Sequence, residues 1–218
     1  INVQFIILFI YCQLMEKGVN VVTLFGPEHG VRGEAAAGEN VSDANDEKTG
    51  IPIFSLYGKN RKPTSEMLAN VDVLIYDIQD VGARFYTYIS TMGLCMEAAA
   101  EKGIPFVVLD RPNPLGGVKV DGPIIEDSLK SFVGMYPIPV VYGLTCGELT
   151  TMINEKGWLL NKEKCHLTVI KMEGWKREMW YDETGLPWIA PSPNMKTLST
   201  ATVYPGTCLF EGTNVSEG

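Results

Sequence analysis

Histidine is scarce in this chain: His29 and His166 are the only two among 218 residues. A histidine-rich metal centre is therefore excluded. The five cysteines, Cys12, Cys95, Cys146, Cys165 and Cys208, are widely spaced and form no CxxC pair. That speaks against a zinc site, a redox pair and a disulfide scaffold, and the thiols read as small buried hydrophobes. Basic runs are missing and the formal net charge is −8, so the footprint that a nucleic-acid backbone demands is absent. The apolar opening, INVQFIILFIYC, is too short to span a membrane. Without a basic flank or a small-residue cleavage site it makes no complete signal peptide; a buried strand or helix is expected there. No GxGxxG follows the first clear strand, and neither a P-loop nor GxSxG occurs, so nothing calls for a nucleotide or any other cofactor. The pattern carries no signal for oligomeric state.

What remains is an ordinary globular composition, 45% hydrophobic and 20% charged, at a length that suits one sizeable domain. Apolar, β-branched runs alternate with helical patterns. Strands are expected over Val19–Phe25, Ile51–Tyr57, Val71–Ile78, Ile104–Asp110 and Leu167–Met172. Thr64–Asn70 starts as a capped helix, with Thr64 or Ser65 as N-cap. Tyr86–Lys102 has helical character and ends at Gly103. Thr145–Lys156 opens on a capping box of Thr145 and Glu148 and stops at Gly157. Trp175–Asn194, rich in Trp and Pro, reads as irregular. This alternation predicts an α/β fold with a mostly parallel sheet covered on both faces.

Polar clusters follow the strands. GPEHGVRGE places Glu28, His29, Arg32 and Glu34 among Gly26, Gly30 and Gly33, directly after the first clear strand. DIQDVGARFYTY brings Asp77, Asp80, Arg84, Tyr86 and Tyr88, and DRPNPLGG brings Asp110, Arg111 and Asn113. In a doubly wound sheet such loops line one crevice at the carboxyl ends of the strands. The residue types suit glycoside hydrolysis, which needs a carboxyl group as general acid and usually a second group as base or nucleophile. Glu28 is the candidate acid; Asp80 and Asp77 are candidates for the second group, or alternatively partners of Arg84. Asp77, Asp80, Asp110 and His29 could instead hold Mg²⁺ or Ca²⁺, and Asp110 could simply order its loop. Tyr86, Tyr88, Trp175, Trp180 and Trp188 either offer faces to a sugar ring or pack in the core.

Taken in order, GPEHGVRGE, DIQDVGARFYTY, LDRPNPLGG, PIPVVYGLTCGEL and the Pro191–Asn194 stretch resemble the exo-β-N-acetylmuramidases of bacterial cell-wall recycling, the NamZ-type family long known as a domain of unknown function. The resemblance runs from about Gly18 to Gly218. It implies a Rossmann-like catalytic domain over 18–218, preceded by an atypical hydrophobic segment, 1–17, where family members carry a strand, a loop and a helix. It also implies a small C-terminal domain beyond this sequence. The implied activity removes terminal β-linked N-acetylmuramic acid from the non-reducing end of peptidoglycan fragments, so the implied partners are muramyl saccharides. The implied location is the bacterial envelope or the exterior. Carried onto this chain, the resemblance makes Glu28 the acid, with His29 and Asp80 as further catalytic groups and no metal. Arg32, Asp77, Arg84, Tyr86, Tyr88, Asn113 and Asn194 fall to substrate binding, with Arg32 or Arg84 pairing the lactyl carboxylate. A non-catalytic sugar-binding module and a metal-dependent hydrolase are the competing expectations.

Overall fold

The computed structural model describes residues 2–6, 10–32, 35, 38–39 and 42–213. Among these a seven-stranded sheet runs in the order β3-β4-β2-β1-β5-β6-β7. Its strands are β1 (Asn2–Ile6), β2 (Asn20–Gly26), β3 (Ala44–Asn45), β4 (Pro52–Ser55), β5 (Val73–Tyr76), β6 (Phe106–Leu109) and β7 (Leu167–Ile170). All neighbours pair in parallel except β3, which runs antiparallel to β4 at one edge. The helices are α1 (Ile10–Glu16), α2 (Tyr88–Lys102), α3 (Cys146–Lys156) and α4 (Leu198–Thr207). The chain winds from β1 through α1 toward β2 on one side. From β5 through α2 to β6, and from β6 through α3 to β7, it winds to the other. Right-handed crossovers in opposite directions put α1 on one face of the sheet and α2 with α3 on the other.

Within the stretch 1–17, set apart in the sequence as atypical, Asn2–Ile6 form a strand of the same sheet and Ile10–Glu16 a helix. β1 lies between β2 and β5, with Val3 opposite both Val21 and Val73. The apolar strands bury themselves as a doubly covered sheet requires: Leu24, Phe25, Leu74, Tyr76, Phe106 and Val108 are sealed from solvent. α2 is nearly enclosed, down to Ser90 and Thr91. At Gly93 a Cβ would lie 1.5 Å from the Tyr136 hydroxyl, so only glycine admits that ring. The expected ends of α2 and α3 are present: Gly103 and Gly157 adopt left-handed conformations, and Thr145 and Glu148 form the capping box. One expected helix does not form. Thr64 accepts from the Met67 amide and its carbonyl from Leu68, but Val71 already turns back onto the Leu68 carbonyl. β5 begins at Val73, which leaves room for a single turn. Of the expected strands, β2 keeps its full length shifted by one residue, and the others are shorter than their apolar runs. Trp175–Asn194 is irregular apart from a turn of 3₁₀ helix at Tyr181–Thr184.

Candidate active site

The carboxyl ends of β2 and β4 open into a cleft of about 740 Å³, within the usual range for a small-molecule site. Glu28 and His29 enter it from the turn that ends β2. The turn is tight: a Cβ at Gly26 would come within 3.1 Å of the Val31 nitrogen and 3.2 Å of the Gly30 Cα. His29 and Gly30 are both left-handed, with φ of 72° and 74°, a conformation that costs a non-glycine residue of order 1 kcal/mol. Ala35 holds the strained residue from both sides. Its amide donates to the His29 carbonyl at 3.2 Å, and its carbonyl accepts from His29 Nδ1 at 2.8 Å. Because a carbonyl only accepts, Nδ1 carries a proton and Nε2 is left for the cleft. The ring is 8% exposed and meets the Tyr88 ring edge-on at 6.4 Å.

Glu28 accepts from a side chain and from the backbone. Thr87 Oγ1 donates to Oε2 at 2.8 Å, and the Gly38 amide donates to Oε1 at 3.2 Å. Thr87 stands at the N-cap of α2, yet its side chain makes no capping bond; it turns to Glu28 instead. Tyr57, just beyond β4, lies alongside. Burial, then the Glu28 carboxylate beside it, push its phenol above the ordinary value. Aromatic faces of Phe85, Tyr86, Phe132 and Tyr204 complete the walls. Tyr86 packs edge-on against Tyr88 at 4.6 Å and Tyr204 at 5.8 Å. A second carboxylate, Glu211, reaches the cleft and accepts from the Tyr204 hydroxyl at 3.1 Å.

Of the residues singled out in the sequence, Glu28, His29, Tyr86 and Asn194 line this cleft. Tyr88 stands behind them, its hydroxyl donating to the Pro191 carbonyl at 2.5 Å. The rest are placed elsewhere. Asp80 is enclosed, with Oδ2 accepting from the Tyr142 hydroxyl and from the Gly82 amide at 2.7 Å. Burial pushes its carboxyl up to about 6 against the pull of those donors. Asp77 is bound to Arg111 through Nε at 2.8 Å and Nη2 at 2.6 Å. Burial likewise raises it to about 6, with Arg111 opposing. Arg84 pairs with neither aspartate. It donates to the carbonyls of Pro123 at 2.7 Å and Ile138 at 2.6 Å, clamping the 120s segment to the strand-end loop. Asn113 does similar work between Leu144 and Leu115, at 2.9 Å each. Arg32 is paired with Asp46, which Thr49 also holds. Glu34 lies outside the described residues.

The alternative cation site does not assemble either. Asp110 accepts from the Gly147 amide and from Thr145 Oγ1, both at 2.8 Å, and so orders the start of α3. Among the described residues no three His, Cys, Asp or Glu side chains gather as a metal-binding group. Platform and packing are the two readings for the tryptophans, and none of them lines the cleft: Trp188 packs edge-on against Tyr181 at 5.0 Å and donates to the Met195 carbonyl at 2.9 Å. Tyr57, Thr87, Arg61, Tyr204 and Glu211 were not read from the sequence. Their signal is spatial, because they come from three stretches far apart in the chain, around 57–61, 87 and 204–211.

Residues 9–199 match the family described as Exo-beta-N-acetylmuramidase NamZ, N-terminal. Over 200 residues the chain is 58% identical to the peptidoglycan beta-N-acetylmuramidase NamZ of Bacillus subtilis (strain 168), covering 92% of this chain and 47% of that protein. The fold matches the crystal structure of a DUF1343 family protein from Bacteroides fragilis NCTC 9343 with a TM-score of 0.86 at 49% identity, covering 96% of this chain and 54% of that one. A second DUF1343 family protein from the same organism gives a TM-score of 0.84 at 41% identity, covering 99% and 57%. The chain thus spans about half the length of the relatives it matches. With GPEHG at the end of β2 opening into the cleft, and this match running through nearly the whole sheet, the chain belongs to the exo-β-N-acetylmuramidase NamZ family, within its N-terminal region.

Proposed function

We propose that this domain carries the catalytic site of a glycosidase that releases terminal β-linked N-acetylmuramic acid from the non-reducing end of peptidoglycan fragments, at the bacterial envelope or outside the cell. One observation carries the reading. Glu28 is the carboxyl group at the end of β2, half-buried in a cleft with aromatic walls, and oriented by Thr87 and Gly38. The Thr87 hydroxyl can donate to the ionised carboxylate or accept from the protonated one. Glu28 is therefore held in one place through a proton transfer to the leaving oxygen. The partner role in proton transfer falls to His29, which lines the cleft and keeps Nε2 clear of the Ala35 bond, rather than to Asp80, which is enclosed behind Tyr142. The activity of the Bacillus subtilis relative, a peptidoglycan beta-N-acetylmuramidase, supports the same reading.

The test is Glu28→Gln in the whole protein, assayed on a chromogenic β-N-acetylmuramide with the β-N-acetylglucosaminide as control. Loss of general-acid catalysis is worth about 10²- to 10⁴-fold, so kcat should fall by at least the lower figure while the fold is retained. Undiminished turnover in that variant would remove Glu28 from the mechanism.

A further inference from the structure

Four of the five arginines in this chain commit their guanidinium groups to the protein. Arg32 binds Asp46 and Arg111 binds Asp77. Arg84 binds two carbonyls. Arg177 binds Glu148 at 2.6 Å together with the carbonyls of Gly117 and Gly143 at 2.9 and 2.6 Å. Arg61 is different. It is exposed, lines the cleft, and lies over the Phe132 ring with its guanidinium carbon 4.4 Å from the centroid. Among the described residues no carboxylate or carbonyl accepts from it. Its charge lowers the Tyr57 phenol pKa while Glu28 raises it, and all three side chains line the cleft. Among the described residues no lysine lines the cleft.

We infer that Arg61 is the group that reads the lactyl carboxylate of the muramyl residue. This rests on the function proposed above and goes beyond it by assigning the specificity determinant. A guanidinium lying over an aromatic face keeps its in-plane N–H fork clear, and that fork matches a carboxylate with two parallel hydrogen bonds. Phe132 restrains the side chain, so less rotamer freedom is lost on pairing. N-acetylglucosamine, which has a hydroxyl where muramic acid carries the lactyl ether, offers Arg61 nothing charged. The expectation that Arg32 or Arg84 pairs with this carboxylate is replaced, because each already has its partner.

The experiment compares three chromogenic β-glycosides on the whole protein: the N-acetylmuramide, its lactyl methyl ester, and the N-acetylglucosaminide. Removing a charge-assisted pair should lower the acid-to-ester ratio of kcat/KM about 10- to 100-fold in Arg61→Gln, mostly through KM. Arg61→Lys, which keeps the charge without the fork, should recover part of it. An acid-to-ester ratio in Arg61→Gln equal to that of the wild type overturns the assignment and leaves the Glu28 reading standing. Calorimetric titration with free N-acetylmuramic acid separates the two ideas. If no glycoside is hydrolysed, the function falls, and Arg61 is judged by binding alone: binding lost in Arg61→Gln sustains the inference, and binding retained ends it.

Discussion

Replacing Thr87 by valine removes one hydroxyl and almost no volume. Thr87 is 8% exposed, and its hydroxyl lies 2.8 Å from Glu28 Oε2, whereas the Gly38 amide donates to Oε1 at 3.2 Å. The shorter contact does most of the orienting. A hydrogen bond to a charged group contributes about 1.5–3 kcal/mol. If that is expressed in the transition state, Thr87→Val should lower kcat by a factor of about 10 to 150. KM should move less, since the bond orients the acid rather than the sugar. Helix stability does not confound the result, because the Thr87 side chain makes no capping bond to α2. Thr87→Ser restores the hydroxyl and should restore most of the turnover. The assay is the initial rate on the chromogenic N-acetylmuramide at saturating concentration, with thermal melting as a check on folding. A Thr87→Val protein within about twofold of wild-type kcat, against the tenfold minimum expected from the lost bond, refutes the reasoning. So does a serine variant no faster than the valine one.

Three further outcomes follow from the packing around the sheet. Burial holds the Asp80 carboxyl at about 6 in the folded protein, against about 3.9 in an unfolded chain. The folded state therefore keeps a proton that the unfolded state releases, and the stabilisation is full below pH ~4 and lost as pH rises through about 6. Melting temperatures between pH 4 and 7 should show wild type losing stability relative to Asp80→Asn, and a constant difference would refute this. Gly147→Ala would set a Cβ 2.5 Å from Val169 Cγ1 and 2.7 Å from Asp110 Cγ; the overpacking should cost roughly 1–3 kcal/mol in chemical denaturation. Arg32→Ala, with a side chain 40% exposed and paired to Asp46, should cost on the order of 1 kcal/mol of stability and leave the acid-to-ester preference intact. A lost preference would return the carboxylate-reading role to Arg32.

The local signals were strong wherever one residue type had one physical reason. The capping box at Thr145 and Glu148 and the left-handed glycines 103 and 157 mark the ends of α2 and α3 in the sequence and in the fold. β2 and β6 follow from continuous apolar runs that only a doubly covered sheet buries. α4 was not anticipated: Pro205 sits inside it, and proline within a pattern argues against helix. The turn at Thr64 looked like a helix start because capping chemistry is the same for one turn as for three. How far the helix runs is decided by where β5 must begin. The cleft residues were harder still. Tyr57 and Arg61 come from a turn-rich stretch after β4, while Tyr204 and Glu211 arrive near the end of the described chain. Nothing periodic links them.

The strand-end motifs carry a more general point. Asp77, Asp80, Arg84 and Asn113 are all 5% exposed or less, and a buried charge is tolerated only when paired or neutralised. Arg111 meets Asp77, Tyr142 meets Asp80, and backbone carbonyls meet Arg84 and Asn113. Each motif thus ties a long connection to the carboxyl edge of the sheet and fixes the floor on which the cleft stands. Groups that meet a substrate must satisfy the opposite condition, with hydrogen-bonding capacity left over at a surface that water can leave. Glu28 meets it at the end of β2 with one oriented carboxyl group, and Arg61 meets it with a guanidinium fork that no described residue occupies. Polar density in sequence locates the active edge of this sheet. On the proposed function, unspent hydrogen-bonding capacity separates the residues assigned to the sugar from those that hold the edge together.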